Sequence, residues 1–581
     1  LRASVATASG LCIALALQPG AAPGTDASDP AAQMAQYNAP VAKTIVELQP
    51  FRRTTTATVR DAQGQPGTAT LINLNPAVNA WFLLVLNWEG SRGTRSYHLE
   101  NPNPGTQALA LDGAGALEIT ESGRPANCAP WSREPDELQQ ARASGLPYGP
   151  LCGNRLYLRN AVPGSFSHIE RVTEFLRDHV WGGDTIVNFV RETVYRDAFA
   201  ETGTASPAKE KLEEAPGAPV AAQVRAEDAN VAIKPEDLGI DLETAHDLVT
   251  GAWYPVKDAP GIYLSVMRPG AVPQAILAGY RRFVNELDSV ESNALDYLVA
   301  MDLQDFEVHF ALGTDHPRVG WSEHMQDQER DPKLPGPDGI GTDAPLARNG
   351  MVSPSLTPRV AVAFAGGFKR EHGAFRFGDL ARRNHGSHFG FMQEGVIFSK
   401  LQPGLATLYR TVDGSAHMGT WTSGDDATLG QIADARQNGV PLIEPDPATG
   451  NPSPGALVDQ WGAGGWSGSA SVQLRTVRAG ACLQEKGRRY LIFGYFSAAT
   501  PSAMARVFQA YGCRYAMQLD INALEHTYFA LYTHRNGQLV VQHLIQGMAE
   551  VDRKGGDQMA PRFLGFPDDR DFFYLLRRPA R

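Results

Sequence analysis

Positive charge is scarce and scattered. Lysine and arginine number 52 against 63 aspartates and glutamates, for a net charge of −11, and no basic block stands out. A nucleic-acid-binding face needs clustered positive charge, so no nucleic-acid partner is expected. A membrane-spanning apolar run is missing as well. The N-terminal run from Gly10 to Leu17 is too short to cross a bilayer unaided. No phosphate-binding loop, dinucleotide fingerprint or calcium-loop pattern occurs, and no cofactor is expected. His385 and His388 have H-x-x-H spacing, but no cysteine or carboxylate completes an evident set, so no metal is expected and a polar loop is the plainer reading. Ser467-Gly468-Ser469 lacks the strand-to-helix context of a nucleophile elbow. Cysteine is rare, five in 581 residues.

What is present fits a globular chain of two to four domains: 43% hydrophobic and 20% charged residues, with 58 glycines and 40 prolines marking many turns. Arg2, the apolar run and the small residues after it have the layout of a secretory signal. The expectation is a secreted, periplasmic or cell-surface protein. Cys12 follows Leu11 rather than a small residue, so lipidation there is not expected. Of the other four cysteines, Cys128 with Cys152 and Cys482 with Cys513 is the preferred pairing among three connectivities. Each would close a loop worth roughly 3 kcal/mol in the chain-entropy model.

The chain divides in order. Residues 1–44 read as a leader and a flexible arm, and 45–160 as a β-rich, sandwich-like domain of short alternating strands separated by turn residues. Its Trp81, Trp88 and Tyr97 suit a core better than a sugar-stacking face. Residues 161–250 read as a helical segment and linker, with helices over Ile169–His179 and Thr185–Ala198 and a charged, proline-rich wrap from Glu201 to Asp237. Residues 251–581 read as one α/β domain, including a helix from Thr428 to Gln437 capped by Asp426. The fold class expected is therefore mixed α+β and α/β.

The segment from Leu491 to Tyr528 organises the C-terminal part. A strand from Tyr490 leads to Thr500, an N-cap, with Pro501 at the first helical position. Met504, Val507, Phe508 and Tyr511 share one helix face, and Gly512 ends the helix. A second strand then carries Asp520 to its end. Ala516-Met517-Gln518-Leu519-Asp520 resembles the A-L-N-L-D-G-G-G-S signature of the phosphodiester glycosidase family, with the aspartate kept and the glycines replaced. Two further landmarks follow the family order. Ala365-Gly366-Gly367-Phe368 stands where the family has N-G-G-F-F, and Arg475-Thr476-Val477 where it has R-T-A-I-G.

The resemblance implies a C-terminal phosphodiester-glycosidase-like domain and a carbohydrate or sugar-phosphate ligand. Hydrolysis at the sugar side of a phosphodiester needs a carboxylate, a cation facing the phosphate, and small residues that admit the ligand. Asp520 and Arg475 fill the first two roles, with His526 a proton-transfer candidate; Thr476, Asn522, Gly366 and Gly367 are the binding candidates. The alternative is a catalytically lapsed relative that binds glycan or joins an envelope assembly, with membrane-associated protein partners. Under that reading Asp520 caps a turn and His526 is a hydrogen-bonded core histidine.

Overall fold

Antiparallel strand pairing organises the described residues. The computed structural model describes residues 34–35, 37–39, 44–90, 93–166, 198–208, 215–243, 247–277, 284–316, 326–331, 342–369, 381–382, 389–460, 474–555 and 558–579. Strands β1 (Arg53–Arg60), β2 (Pro66–Asn73), β3 (Trp81–Trp88) and β4 (Thr94–Glu100) pair antiparallel in succession. β5 (Gln107–Leu111), β6 (Leu117–Glu121) and β7 (Arg124–Cys128) form a three-stranded sheet. β8 (Tyr148–Leu151) and β9 (Leu156–Arg159) complete a six-stranded one in the order β1-β2-β3-β4-β9-β8. Helix α1 (Glu137–Ala143) is capped by Asp136, which accepts from the amides of Leu138 and Gln139. Cys128 and Cys152 are disulfide-bonded.

The apolar run of β3 is explained by burial on both faces. Phe82, Leu84 and Leu86 enter the core of the N-terminal sheets, whereas Trp81 and Leu83 enter the core of the sheets that follow. Trp81, Trp88 and Tyr97 are all buried, so they offer no stacking face.

The described part of residues 161–250 is not the expected helical linker. The expected helices fall outside the described residues, apart from Ala198. Within the described part, β10 (Gly203–Pro207), β11 (Val231–Pro235) and β12 (Leu248–Val249) make an antiparallel sheet. Thus the presumed wrap contributes strands.

The expected α/β class for the remainder is overturned too: strands dominate, in several antiparallel sheets, and helices are few. In order come β13 (Tyr254–Pro255), β14 (Ile262–Met267), α2 (Ser289–Asn293), β15 (Asp296–Asp302), β16 (Phe306–Ala311), β17 (Val360–Ala365), β18 (Phe391–Gln393) and β19 (Val396–Ser399). β20 (Ala406–Thr411), β21 (Ala416–Thr420), β22 (Ile432–Gln437), β23 (Ile443–Pro445), β24 (Pro452–Pro454), β25 (Thr476–Gln484) and β26 (Tyr490–Ala499) follow. Then come α3 (Pro501–Ala510), β27 (Tyr515–Ile521), β28 (Phe529–Arg535), β29 (Gln538–His543), β30 (Arg553–Gly555), β31 (Gln558–Ala560) and β32 (Phe572–Arg577).

An eight-stranded sheet, β13-β14-β15-β26-β25-β27-β23-β24, packs against the sheet β16-β32-β17-β28-β29; a third, β19-β18-β22-β20-β21, adjoins them. Strand–helix–strand order had suggested α/β pairing. However, β25 lies between β26 and β27 and is antiparallel to both. The expected helix Thr428–Gln437 is instead a 3-10 segment, Ser423–Gln431, followed by β22. There Asp434 and Arg436 alternate with buried alanines, a strand pattern.

Helix α3 matches its sequence signals: the Thr500 hydroxyl accepts from the amide of Ala503 at 3.3 Å, and Gly512 has φ 66°. Met504, Val507, Phe508 and Tyr511 cover one face of the large sheet, with Phe508 5.2 Å from the ring of Phe496. A Cβ on Gly480 would stand 2.8 Å from Met504 and 2.9 Å from Phe508, so a glycine there lets the helix sit close. The Cys482–Cys513 disulfide ties β25 to the end of the helix. On the opposite face Phe364, Phe493, Phe529 and Phe573 pack ring against ring.

Glu201 is buried beside this core, and burial pushes its carboxyl up to about 7. Its folded pKa exceeds the unfolded value of roughly 4.3, so its contribution favours folding at acidic pH and is lost as pH rises through 7. Denaturation midpoints measured between pH 5 and 8 should therefore decline less in Glu201→Gln than in the parent chain. Parallel declines would contradict this assignment.

Candidate functional site

Four strand ends meet at residues 568–571. Asp568, Asp569, Arg570 and Asp571 precede β32 and are all nearly inaccessible to solvent. Buried charges need partners, and each has its own. Asp568 receives Arg562 through two bonds, of 2.7 and 2.9 Å. Asp569 receives Lys369 at 2.9 Å. Asp571 takes Arg436 at 3.1 Å and lies 2.6 Å from Nδ1 of His316. Burial pushes the Asp571 carboxyl up, but His316 and Arg436 hold it below the usual carboxylate value.

Arg570 reaches the candidate carboxylate. Its Nη1 donates to Asp520 at 2.6 Å, and its Nη2 lies 2.7 Å from Nε2 of His526. The other imidazole nitrogen is 2.7 Å from the carbonyl of Ile521. Since a carbonyl only accepts, this network assigns the proton to Nδ1 and leaves the Nε2 lone pair facing Arg570. Glu525 stands 3.3 Å from the same Nε2. Asp520 and His526 are thus joined through Arg570. Asp520 also accepts from the amide of Ile521 at 2.8 Å, a local turn contact.

Asn438, just after β22, ties this group to Gly366-Gly367. Its Nδ2 donates to the carbonyls of Gln518 and Leu519 at 2.8 and 2.6 Å, and its Oδ1 accepts from the amide of Phe368 at 3.2 Å. Gly367 has φ 134°, and a Cβ there would lie 2.9 Å from Asn438. A Cβ on Gly366 would press on the Asp571 backbone at 3.1 Å. In this structure the close approach at both glycines is made by the protein itself. An amide side chain, absent at Ala365, arrives from Asn438.

The remaining candidates stand at the start of β25. Arg475 ion-pairs with Asp288, the N-cap of α2, on the far side of Arg478 from Asp520 in the chain order of β25. Thr476 Oγ1 and Asn522 Oδ1 are both buried and make no hydrogen bond among the described residues. The two are linked across the strands, since the Asn522 amide donates to the carbonyl of Val477 at 2.9 Å. Arg478 donates to Gln518 at 2.8 Å and to the carbonyls of Ala499 and Leu474, both at 2.7 Å. Burial pulls it down to about 9, so it remains charged at neutral pH. His385, His388 and Ser467–Ser469 lie outside the described residues.

No family model matches the chain, and no curated protein does. Among solved structures it is similar to the zebrafish N-acetylglucosamine-1-phosphodiester alpha-N-acetylglucosaminidase catalytic domain, auto-inhibited by its pro-peptide. The identity is 12% and the TM-score 0.29, over 59% of this chain and 89% of that one. A hypothetical protein from Synechocystis is 11% identical with a TM-score of 0.28, over 90% of this chain and 97% of that one. Both likenesses are weak and carry no function over to this chain.

Sequence reasoning missed Arg570, Asn438, Arg436 and Lys369. Two signals pointed to the first three. The acid-base-acid run Asp568–Asp571 stands directly before the apolar strand β32, and Asp434, Arg436 and Asn438 recur at every second position. Replacing Gly367 with alanine should destabilise the fold by about 1–3 kcal/mol, as for other residues forced into this backbone region. Urea denaturation measures it, and an unchanged midpoint would contradict the geometry.

Proposed function

We propose that the chain is an exported hydrolase acting on sugar phosphodiesters or related glycosidic bonds, with Asp520, Arg570 and His526 at its centre. The observation that carries the reading is the unbroken contact from a buried strand-end carboxylate through a guanidinium to a partly exposed imidazole. The Asp520 and Arg570 side chains are 6% and 3% exposed, and that of His526 is 18% exposed. The two disulfides accord with an oxidising compartment. Among the described residues no helix is long and apolar enough to cross a membrane.

In this reading Asp520 fixes Arg570, whose charge draws the phosphate of the ligand. A phosphate oxygen competes with His526 for the Arg570 N–H. The imidazole Nε2 is then released to take a proton from the water that attacks the anomeric carbon, with Glu525 beside the imidazole to stabilise the imidazolium. The C–O bond from that carbon to the phosphate breaks, and the phosphomonoester leaves as an anion from Arg570. Asp520 also supplies negative charge where an oxocarbenium-like centre develops. Thr476 and Asn522, with their unspent oxygens, bind sugar hydroxyls. Arg475 and Thr476 position the approach to β25.

A second reading, a glycan-binding or envelope component without catalysis, is favoured by one feature. Asp520 is only 4% exposed and already has a partner for each oxygen. Hydrolysis of a panel of sugar-1-phosphodiesters and aryl glycosides separates the two. The hydrolase reading expects turnover by the parent chain, a loss of about 10²–10⁴ in His526→Gln, and loss of activity in a folded Asp520→Asn. No turnover by the parent chain would favour the binding component.

A further inference from the structure

A second cluster of chemistry-bearing residues lies away from Asp520, where three sheets come together. His309 stands on β16, Asp434 on β22, and Glu394 in the turn between β18 and β19. Their potential donor atoms all lie within 4.8 Å of one another. The Glu394–Gly395 turn is seated on the N-terminal sheets, where Asn75 donates to the carbonyl of Gly395 at 3.3 Å. The cluster borders a cavity of about 520 Å³, walled by Trp81, Glu100 and Tyr148 on one side and by His309, Glu394 and Tyr574 on the other.

We propose that His309, Glu394 and Asp434 form a binding site for a divalent first-row transition-metal ion at the edge of this cavity. The independent observation is the imidazole. The His309 side chain is 9% exposed; its Nε2 pairs with Glu307, while its Nδ1 makes no hydrogen bond among the described residues. A buried polar group without a bond calls for an explanation. Nδ1 faces Glu394 at 4.0 Å and Asp434 at 3.8 Å, while Nε2 is 3.3 Å from Glu307. Stacking on Tyr574, at 5.2 Å between ring centres and 21° between planes, holds the ring there.

Charge supports a cation. Glu307, Glu394 and Asp434 face one buried guanidinium, Arg410, which lies 2.8 Å from Asp434 and 3.1 Å from Glu307. The carboxylates of Glu307 and Asp434 alone exceed that guanidinium by one charge, an excess lessened where Arg578 comes within 3.7 Å of Glu307. A nitrogen donor beside two carboxylates suits zinc or manganese better than calcium or magnesium, which prefer oxygen throughout. Three protein ligands leave further coordination positions for water or a small molecule from the cavity.

The test uses the full chain, without a histidine tag and stripped with chelator, titrated calorimetrically with zinc chloride and with manganese chloride. One ion per chain is expected for at least one metal. In His309→Ala the affinity should fall by more than the 10–100-fold that loss of an outer-sphere partner causes. Glu394→Gln, which keeps the shape of the turn, should lose the stoichiometric ion and the rise in melting temperature that it confers on the parent chain. Absence of one-to-one binding by the parent chain would overturn the proposal. Unchanged affinity in a folded Glu394→Gln would do the same, and that variant decides the matter if His309→Ala fails to fold.

Discussion

Four consecutive charged residues, Asp568 to Asp571, hold the C-terminal sheets in register with one another. Their partners come from different places: Arg562 from the same connection, Lys369 from beyond β17, Asp520 from β27, and Arg436 from β22. Apolar packing alone is tolerant of sliding, because one aliphatic contact is much like another. A buried ion pair is different. Its net stabilisation is small after desolvation, yet breaking it leaves a charge stranded in a low-dielectric interior. The row therefore acts by excluding other arrangements of the strand ends.

Once those ends are fixed, the geometry of the candidate site follows. Arg570 meets Asp520 and His526 at once, and Asn438 closes the gap to Gly367. The glycines, read from sequence as room for a ligand, make room for Asn438 and for the Asp571 backbone. The aromatic packing of Phe364, Phe493, Phe529 and Phe573 lies beneath and gives the strands a rigid base. A site assembled on strands in this way can hold its groups more closely than one assembled on loops.

Much of the local structure was legible in the sequence. Thr500, Pro501 and Gly512 mark the limits of α3, Trp81, Trp88 and Tyr97, read as core, are buried, and the preferred disulfide pairing is the one found. The sheet topology was not legible. A strand, a helix and a strand in succession do not disclose that β25 has inserted between them. The helix expected at Thr428–Gln437 went astray because Gly439 resembles a helix stop, although the polar residues there repeat every second position. The candidate carboxylate and histidine were visible as single residues, but Arg570, which joins them, lies 50 residues from Asp520. A contact at that separation is set by the fold rather than by any local pattern.

The most direct test of the central claim is a double-mutant cycle on Asp520 and Arg570, using Asp520→Asn, Arg570→Met and the pair, with stability read from urea denaturation. Breaking the buried pair from either side should cost about 3–5 kcal/mol. The double variant should recover part of that loss, because no charge is then stranded. Single losses that merely add in the double variant would show that the pair is not coupled, and that the row of charges is not what sets the site.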